Sequence, residues 1–288
     1  MVPRPPTTVA APVSVSVTAL KDYLASPYRF YLKHVLGLET VHDGADELTA
    51  MAFGNLAHEA LKRFGRSELR SSTDPDAIHA FLAHALDEIA TETYGADRIM
   101  AVDIQLKQAE VRLRAFAAWQ AEWARQGWRI ERTEVTHEGG VEFDLRDGRT
   151  IRLRGRIDRI DRQDATRAWT IFDYKTGETS ESPEKSHCPG GIWQDLQLPL
   201  YRHLAAPLGV TGSVQLGYIR LPRDTDQVGA LIAEWTADEL ALADDVARGV
   251  ARRILDGDFW QVLDQPPATL QEFDPICQDG VFDREATV

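Results

Sequence analysis

Residues 170–177 read TIFDYKTG, and the reading of this stretch decides the fold. With Trp169 before it, the segment is an apolar run that ends in a carboxylate, Asp173, and an ammonium, Lys175, before Gly177 closes it. Alternate side chains of a strand share a face. Asp173 and Lys175 therefore join Trp169 and Ile171 on one face, while Phe172 and Tyr174 take the other. An exposed Asp–Lys pair at a strand end adds almost nothing to stability, so alone this is a common surface pattern.

The preceding segment changes its weight. RTIRLRGRIDRIDR (149–162) reads as one alternating strand, with Ile151, Leu153, Gly155 and Ile157 on one face and Arg152, Arg154, Arg156 and Asp158 on the other. The connection at 161–167 is short enough for antiparallel neighbours, which brings Asp158 and Asp173 together. Carboxylates held that close repel each other unless a cation lies between them. Oxygen ligands favour a hard ion, Mg²⁺ or Mn²⁺. A lysine beside them suits a group that orients or activates a metal-bound water, or meets negative charge developing on a phosphate. Asp158, Asp173 and Lys175 are thus catalytic candidates for phosphodiester hydrolysis.

The flanking chain supplies the frame. Four helices are expected first, over 16–39 (with Ser16 or Thr18 as N-cap and an interruption at Pro27), 51–65, 75–95 and 103–127. In 51–65, Leu56, Ala57, Ala60, Leu61 and Phe64 form the apolar stripe. After Gly127 the period changes to two. Residues 128–145 read as a hairpin around Gly139-Gly140, 167–177 as a strand, 178–191 as a loop, 192–209 as a helix and 213–222 as a strand. The helix expected over 236–259 opens on a capping box, Thr236 with Glu239. The order predicts an α/β core, a central mixed β-sheet flanked by helices, with a helical N-terminal part.

A chain of 288 residues that is 43% hydrophobic can bury one large core. The net charge of −13 argues against a generic nucleic-acid coat protein, but not against an enzyme whose groove alone must be positive. Cys188 and Cys277 are too few for a disulfide framework and read as free thiols in a reducing compartment. The Pro-rich start reads as a flexible arm rather than a secretory signal, and no run approaches the roughly 18 apolar residues of a membrane span. A cytoplasmic protein without a membrane partner is expected.

GRIDRID (155–161) followed by FDYKTG (172–177) resembles the signature of the PD-(D/E)XK nuclease superfamily, and more narrowly its RecB- and AddB-type nuclease domains. Three more segments agree in order: the opening helix SVTALKDYLASPYRFYLKHVLGLE (16–39), FGNLAHEALKRF (53–64) and QLPLYRHLA (197–205). The resemblance implies a restriction-endonuclease-like core in a single domain over 14–260, helical over 14–127 and catalytic over 128–260, between an arm at 1–13 and an irregular acidic tail at 261–288. It implies a metal-dependent deoxyribonuclease, an exonuclease-like hydrolase of DNA repair or recombination. His58, Asp158, Asp173 and the Tyr174 carbonyl are the implied metal contacts, with Lys175 catalytic, and Gln197 and Tyr201 at the substrate or behind the site.

The expected ion is Mg²⁺ or Mn²⁺, and no iron–sulfur cluster is expected, because Ser26 stands where related AddB proteins carry a cysteine and two thiols cannot hold one. DNA is the expected partner. Any helicase motor would come from another chain or a further part, since no Gly-x-x-x-x-Gly-Lys-Ser/Thr loop occurs here. The competing expectation is a catalytically silent nuclease-like module that binds DNA or a helicase. Phosphate contacts are expected from the strand arginines, Arg152, Arg154 and Arg156 foremost. Lys21, Arg29 and Lys33, interleaved with Tyr23, Tyr28, Phe30 and Tyr31, suit either base stacking or a packed helix face. Glu134 reads as a structural or solvated residue.

Overall fold

Among the described residues, three of the four long helices form where an apolar stripe meets a capping side chain, and Met100–Arg125, preceded by Ile99, forms without one. A computed structural model describes residues 12–39, 48–177, 181–261 and 273–277. Most of the expected arm and acidic tail lies outside these residues. The chain opens with β1 (Ser14–Ser16), α1 (Ala19–Ala25) and α2 (Pro27–Phe30), which continues into a π-helical turn at Tyr31–Val35. Next come α3 (Ala50–Arg66), α4 (Pro75–Tyr94) and α5 (Met100–Arg125). The Thr49 hydroxyl caps α3 by accepting from the Ala52 N–H, and Leu56, Ala57, Ala60, Leu61 and Phe64 are buried as the stripe requires. Asp74 caps α4 ahead of Pro75, and Gly95, with φ of 81°, ends it.

The strands follow: β2 (Trp128–Thr136), β3 (Val141–Asp144), β4 (Thr150–Arg154), β5 (Arg156–Gln163) and β6 (Trp169–Lys175). After α6 (Pro183–His187) and α7 (Gln197–Ala205) come β7 (Val214–Arg220), β8 (Gly229–Ile232), α8 (Ala237–Leu255) and the short α9 (Asp274–Cys277). The capping box at the start of α8 forms as expected, Thr236 with Glu239.

The central sheet is mixed, in the order β2-β5-β6-β7-β8, with β6 and β7 parallel and the other neighbours antiparallel. Its two faces carry separate cores. Phe172, Tyr174 and Ile219 pack with Leu61, Phe64 and Phe116 of α3 and α5. Ile171 and Leu216 pack with Leu200, Leu204, Ala247 and Ile254 of α7 and α8. The expected alternation in β6 is therefore observed, and the α/β architecture with a helical N-terminal part holds. Among the described residues no helix is long and apolar enough to cross a membrane.

Two expectations are corrected, and one open alternative is decided. The segment 149–162 is not one strand. It breaks at Gly155, and β4 belongs to a second sheet of order β1-β4-β3 while β5 lies in the central one. A Cβ on Gly155 would come within 2.7 Å of Leu204 Cδ1 and 2.9 Å of Val17 Cγ2, so the chain crosses between sheets where only hydrogen fits. Residues 128–145 do not pair as a hairpin: β2 pairs with β5, and β3 pairs with β4. Gly139 and Gly140, with φ of 75° and 77°, turn a corner between sheets. Finally, Tyr23, Tyr28, Phe30 and Tyr31 are buried, and Tyr31 packs on Phe259 and Trp260, so the opening helix presents no aromatic platform for bases. β1, β8 and α6 are additions to the expected elements, and α7 begins only at Gln197 because 192–196 is non-helical.

Candidate metal centre

The sheet register aligns three carboxylates. In β2 and β5, Thr133 faces Arg159 and Val135 faces Ile157, which sets Glu134 across from Asp158. In β5 and β6, Arg159 faces Phe172, so the next step sets Asp158 beside Asp173. Asp173 in turn is level with Tyr218 of β7. Asp158 and Asp173 are each 5% exposed, too buried for solvated surface charges. α3 reaches over this row. Its His58 places Nδ1 3.7 Å from Asp158 Oδ2. One ligand atom each from His58, Glu134 and Asp158 lie within 4.8 Å of one another, the one such trio among the described residues.

The electrostatics fit a cation at this point. Burial, then the Asp173 charge and the Glu134 charge, push the Asp158 pKa up from 3.8 to about 8, although the Tyr174 N–H (2.9 Å from Asp158 Oδ2) pulls the other way. Burial also raises Glu134, despite Arg156 Nε at 2.7 Å from its Oε2. His58 is pushed down by burial, with the Asp173 charge and the Tyr174 main chain partly offsetting it, so its imidazole is held neutral, as a ligand must be. Its Nδ1 is buried with no hydrogen-bond partner. An unpartnered imidazole nitrogen aimed at buried, raised carboxylates suits a divalent ion that accepts both N and O donors.

Asp173 is gripped from the other side. Lys175 Nζ lies 2.7 Å from its Oδ2 and 4.8 Å from the Tyr218 ring centroid. Burial works against the ammonium, but Asp173 and then Tyr218 outweigh it and hold the Lys175 pKa above the usual lysine value. Gln197 Nε2 donates to Asp173 Oδ1 at 2.9 Å, and the Tyr201 hydroxyl donates to the same oxygen at 3.3 Å. They lie four residues apart on one face of α7. Burial, then Asp173 and Asp158, keep the Tyr201 phenol protonated and able to donate.

The structure thus brings His58, Asp158, Asp173 and Lys175 together, with Gln197 and Tyr201 holding Asp173. The Tyr174 side chain turns to the α3–α5 face, leaving its main chain at the site. The arginines disperse. Arg152 and Arg154 belong to β4 in the other sheet, across the Gly155 break, and Arg156 pairs with Glu134. Glu134, unremarkable in the sequence, is brought to the site by the fold. Its φ of 51° is left-handed, a strained geometry for a non-glycine residue, and β2 carries a bulge between Ile130 and Arg132. Neither feature has a signal in the sequence, since glutamate is not a residue that favours this conformation.

A sheet that lines up buried carboxylates with one lysine, roofed by a helical histidine, is the kind of site that divalent-metal phosphodiester chemistry calls for. The sequence profile of the PD-(D/E)XK nuclease superfamily matches residues 14–278, and the chain belongs to that superfamily. The chain is 29% identical over 178 residues to an ATP-dependent helicase/deoxyribonuclease subunit of Lachnoclostridium phytofermentans, covering 57% of this chain and 14% of that protein. A protein of the same name from Clostridium perfringens is 25% identical over 221 residues, covering 67% of this chain and 17% of that one. An uncharacterized protein of Rickettsia conorii is 28% identical over 200 residues, 65% of this chain and 22% of its own length. The chain therefore spans less than a quarter of each of these relatives.

Proposed function

We propose that the protein is a metal-dependent deoxyribonuclease, hydrolysing phosphodiester bonds in an exonuclease-like manner during DNA repair or recombination, alongside a helicase. The carrying observation is the meeting of Asp158 and Glu134 with the unpartnered Nδ1 of His58, next in register to an Asp173 that Lys175 holds at 2.7 Å. His58, Glu134, Asp158, Asp173 and the Tyr174 carbonyl would hold Mg²⁺ or Mn²⁺, which supplies Lewis acidity at the scissile phosphate and lowers the pKa of attacking water. Glu134 would exchange its Arg156 partner for the ion. Lys175 carries a firmly held positive charge and would orient that water or meet the charge developing on phosphate. Gln197 and Tyr201 fix the Asp173 carboxylate, so its lone pairs need not reorganise during the reaction. The helicase association rests on the names of the two clostridial relatives, both helicase/deoxyribonuclease subunits.

The test uses linear double- and single-stranded DNA with Mg²⁺, Mn²⁺ or EDTA. Metal-dependent loss of DNA is expected, with Lys175→Ala lowering the rate by at least about 10²-fold, the scale of a charge-stabilising group. DNA that survives with either metal, or a rate indifferent to Lys175→Ala, refutes the reading.

A further inference from the structure

Most strand arginines are engaged within the fold. Arg149 meets Asp147 and Asp256, Arg156 meets Glu134, and Arg159 is fully buried against Asp161. One groove differs. Between the C-terminal end of α3 and β2 lies an open groove of about 370 Å³, lined by Gly65, Arg66, Arg70 and residues 131–136. Arg66, Arg70 and Arg132 are exposed in it, and among the described residues none of their guanidinium groups has a hydrogen-bond or ion-pair partner. In a chain of net charge −13, three arginines without an ion-pair partner outnumber the carboxylates of this groove and leave a locally positive balance where the average field is negative. The last turn of a helix favours a cation, which accounts for Arg66. It accounts less for Arg70, in a separate 3₁₀ turn at Glu68–Ser71 too short for much of a dipole, and not for Arg132 on the strand.

The groove has a direction. Glu134 lines it and also belongs to the trio with His58 and Asp158, so the groove and the metal centre share that residue. β2 is an edge strand of the central sheet, and among the described residues no further strand covers that side. The bulge at Glu131 displaces Arg132 by one residue relative to β5, and Gly65 lets α3 close on β2, since a Cβ there would overlap Thr133. Glu131 also lines the groove, and its carboxylate and that of Glu134 leave the three arginines in excess by one charge.

Resting on the nuclease reading, we infer that Arg66, Arg70 and Arg132 form a track for the phosphodiester backbone of one nucleic-acid strand, guiding it past Glu134 to the carboxylates. Guanidinium groups are suited to this because they present a planar fork of donors to phosphate oxygens. The track replaces Arg152 and Arg154, which the Gly155 break carries into the other sheet.

The experiment measures binding of a fluorescein-labelled single-stranded oligonucleotide by anisotropy, with Ca²⁺ in place of the catalytic ion, over a range of salt. Wild type is compared with the triple variants Arg66→Ala/Arg70→Ala/Arg132→Ala and Arg66→Lys/Arg70→Lys/Arg132→Lys. A third variant, Arg114→Ala/Arg146→Ala/Arg167→Ala, makes the same change of net charge at exposed positions outside the groove. Each lost single-strand phosphate contact lowers the salt slope by about 0.7, so the groove alanine variant should lose about 2 from the slope and at least about 10-fold in affinity. The lysine variant should retain most of the slope, and the control should match wild type. The track is overturned if the groove alanine variant binds like the control while wild type still cleaves DNA. If wild type neither binds nor cleaves, the nuclease reading falls and the track falls with it.

Discussion

Gly155→Ala tests the packing that places the site. Gly155 is the residue at which the chain leaves the small sheet and enters the central one, three residues before Asp158. The added methyl would lie 2.7 Å from Leu204 Cδ1 and 2.9 Å from Val17 Cγ2, where apolar carbons rest at about 3.5–4.0 Å. Relief requires a displacement of close to 1 Å. Neither neighbour can swing into solvent, because Val17 is 0% and Leu204 1% exposed. Overpacking of this kind costs about 1–3 kcal/mol. In a chain of this size that lowers Tm by roughly 2–10 °C. Leu204 sits one turn beyond Tyr201 on α7, so the strain falls on the helix whose Gln197 and Tyr201 hold Asp173. Urea unfolding of Gly155→Ala, Leu204→Val and the double variant gives the coupling directly. Because Val lacks the Cδ1 that Gly155→Ala would strike, the double variant should be more stable than the sum of the singles by at least about 0.5 kcal/mol. A Gly155→Ala protein as stable as wild type, or strictly additive singles, would refute the account of why the chain breaks there.

Asp158 gives a pH signature. Its folded pKa is raised from 3.8 to about 8, so folding takes up a proton, and its contribution to stability is complete at low pH and is lost as pH rises through about 8. Metal-free denaturation between pH 5 and 8 should show Asp158→Asn gaining on wild type as pH rises, by at most about 1.4 kcal/mol per pH unit. Parallel curves count against it. Because an ion must displace that proton, Mn²⁺ should raise the wild-type Tm more at pH 8 than at pH 6, and the difference should vanish in Asp158→Asn. Arg159 grips Asp161 with Nε at 2.7 Å and a terminal nitrogen at 2.6 Å, both side chains fully buried, and Trp123 donates to the same carboxylate at 2.8 Å. Arg159→Ala should therefore cost about 3–5 kcal/mol in urea unfolding by stranding Asp161, and a loss under about 1 kcal/mol would show that the fold does not depend on the pair.

GRIDRID contains two aspartates, and the structure separates their work: Asp158 meets His58 at the site, and Asp161 neutralises a buried arginine. Parity alone gives no such division for a strand buried on both faces. The helical layer is legible because stripes such as Leu56 to Phe64 encode their own buried face. β1 is legible in principle, since VSVSV (13–17) alternates, but the stretch runs straight into a helical pattern that masks it. β8 has four residues and no clear alternation, and it is a strand because β7 offers it an antiparallel edge. The aromatic residues of the opening helix suit two roles in the sequence, and Phe259 and Trp260, more than 200 residues away, decide between them by covering the rings.

By itself the sequence determined the chemistry at hand: Asp173 and Lys175 on one strand face, His58 on an amphipathic helix, and Gln197 one turn from Tyr201. These are consequences of local periodicity, which is fixed by backbone geometry within a few residues. Only the tertiary structure decided that Glu134 faces Asp158 and that Gly155 sends Arg152 and Arg154 into another sheet. It alone decided that Arg66, Arg70 and Arg132 stay without an ion-pair partner among the described residues, in a groove that Glu134 also lines. Register between strands and the neutralisation of charge depend on contacts between segments distant in the chain, and a one-residue bulge in β2 is enough to change which side chains meet.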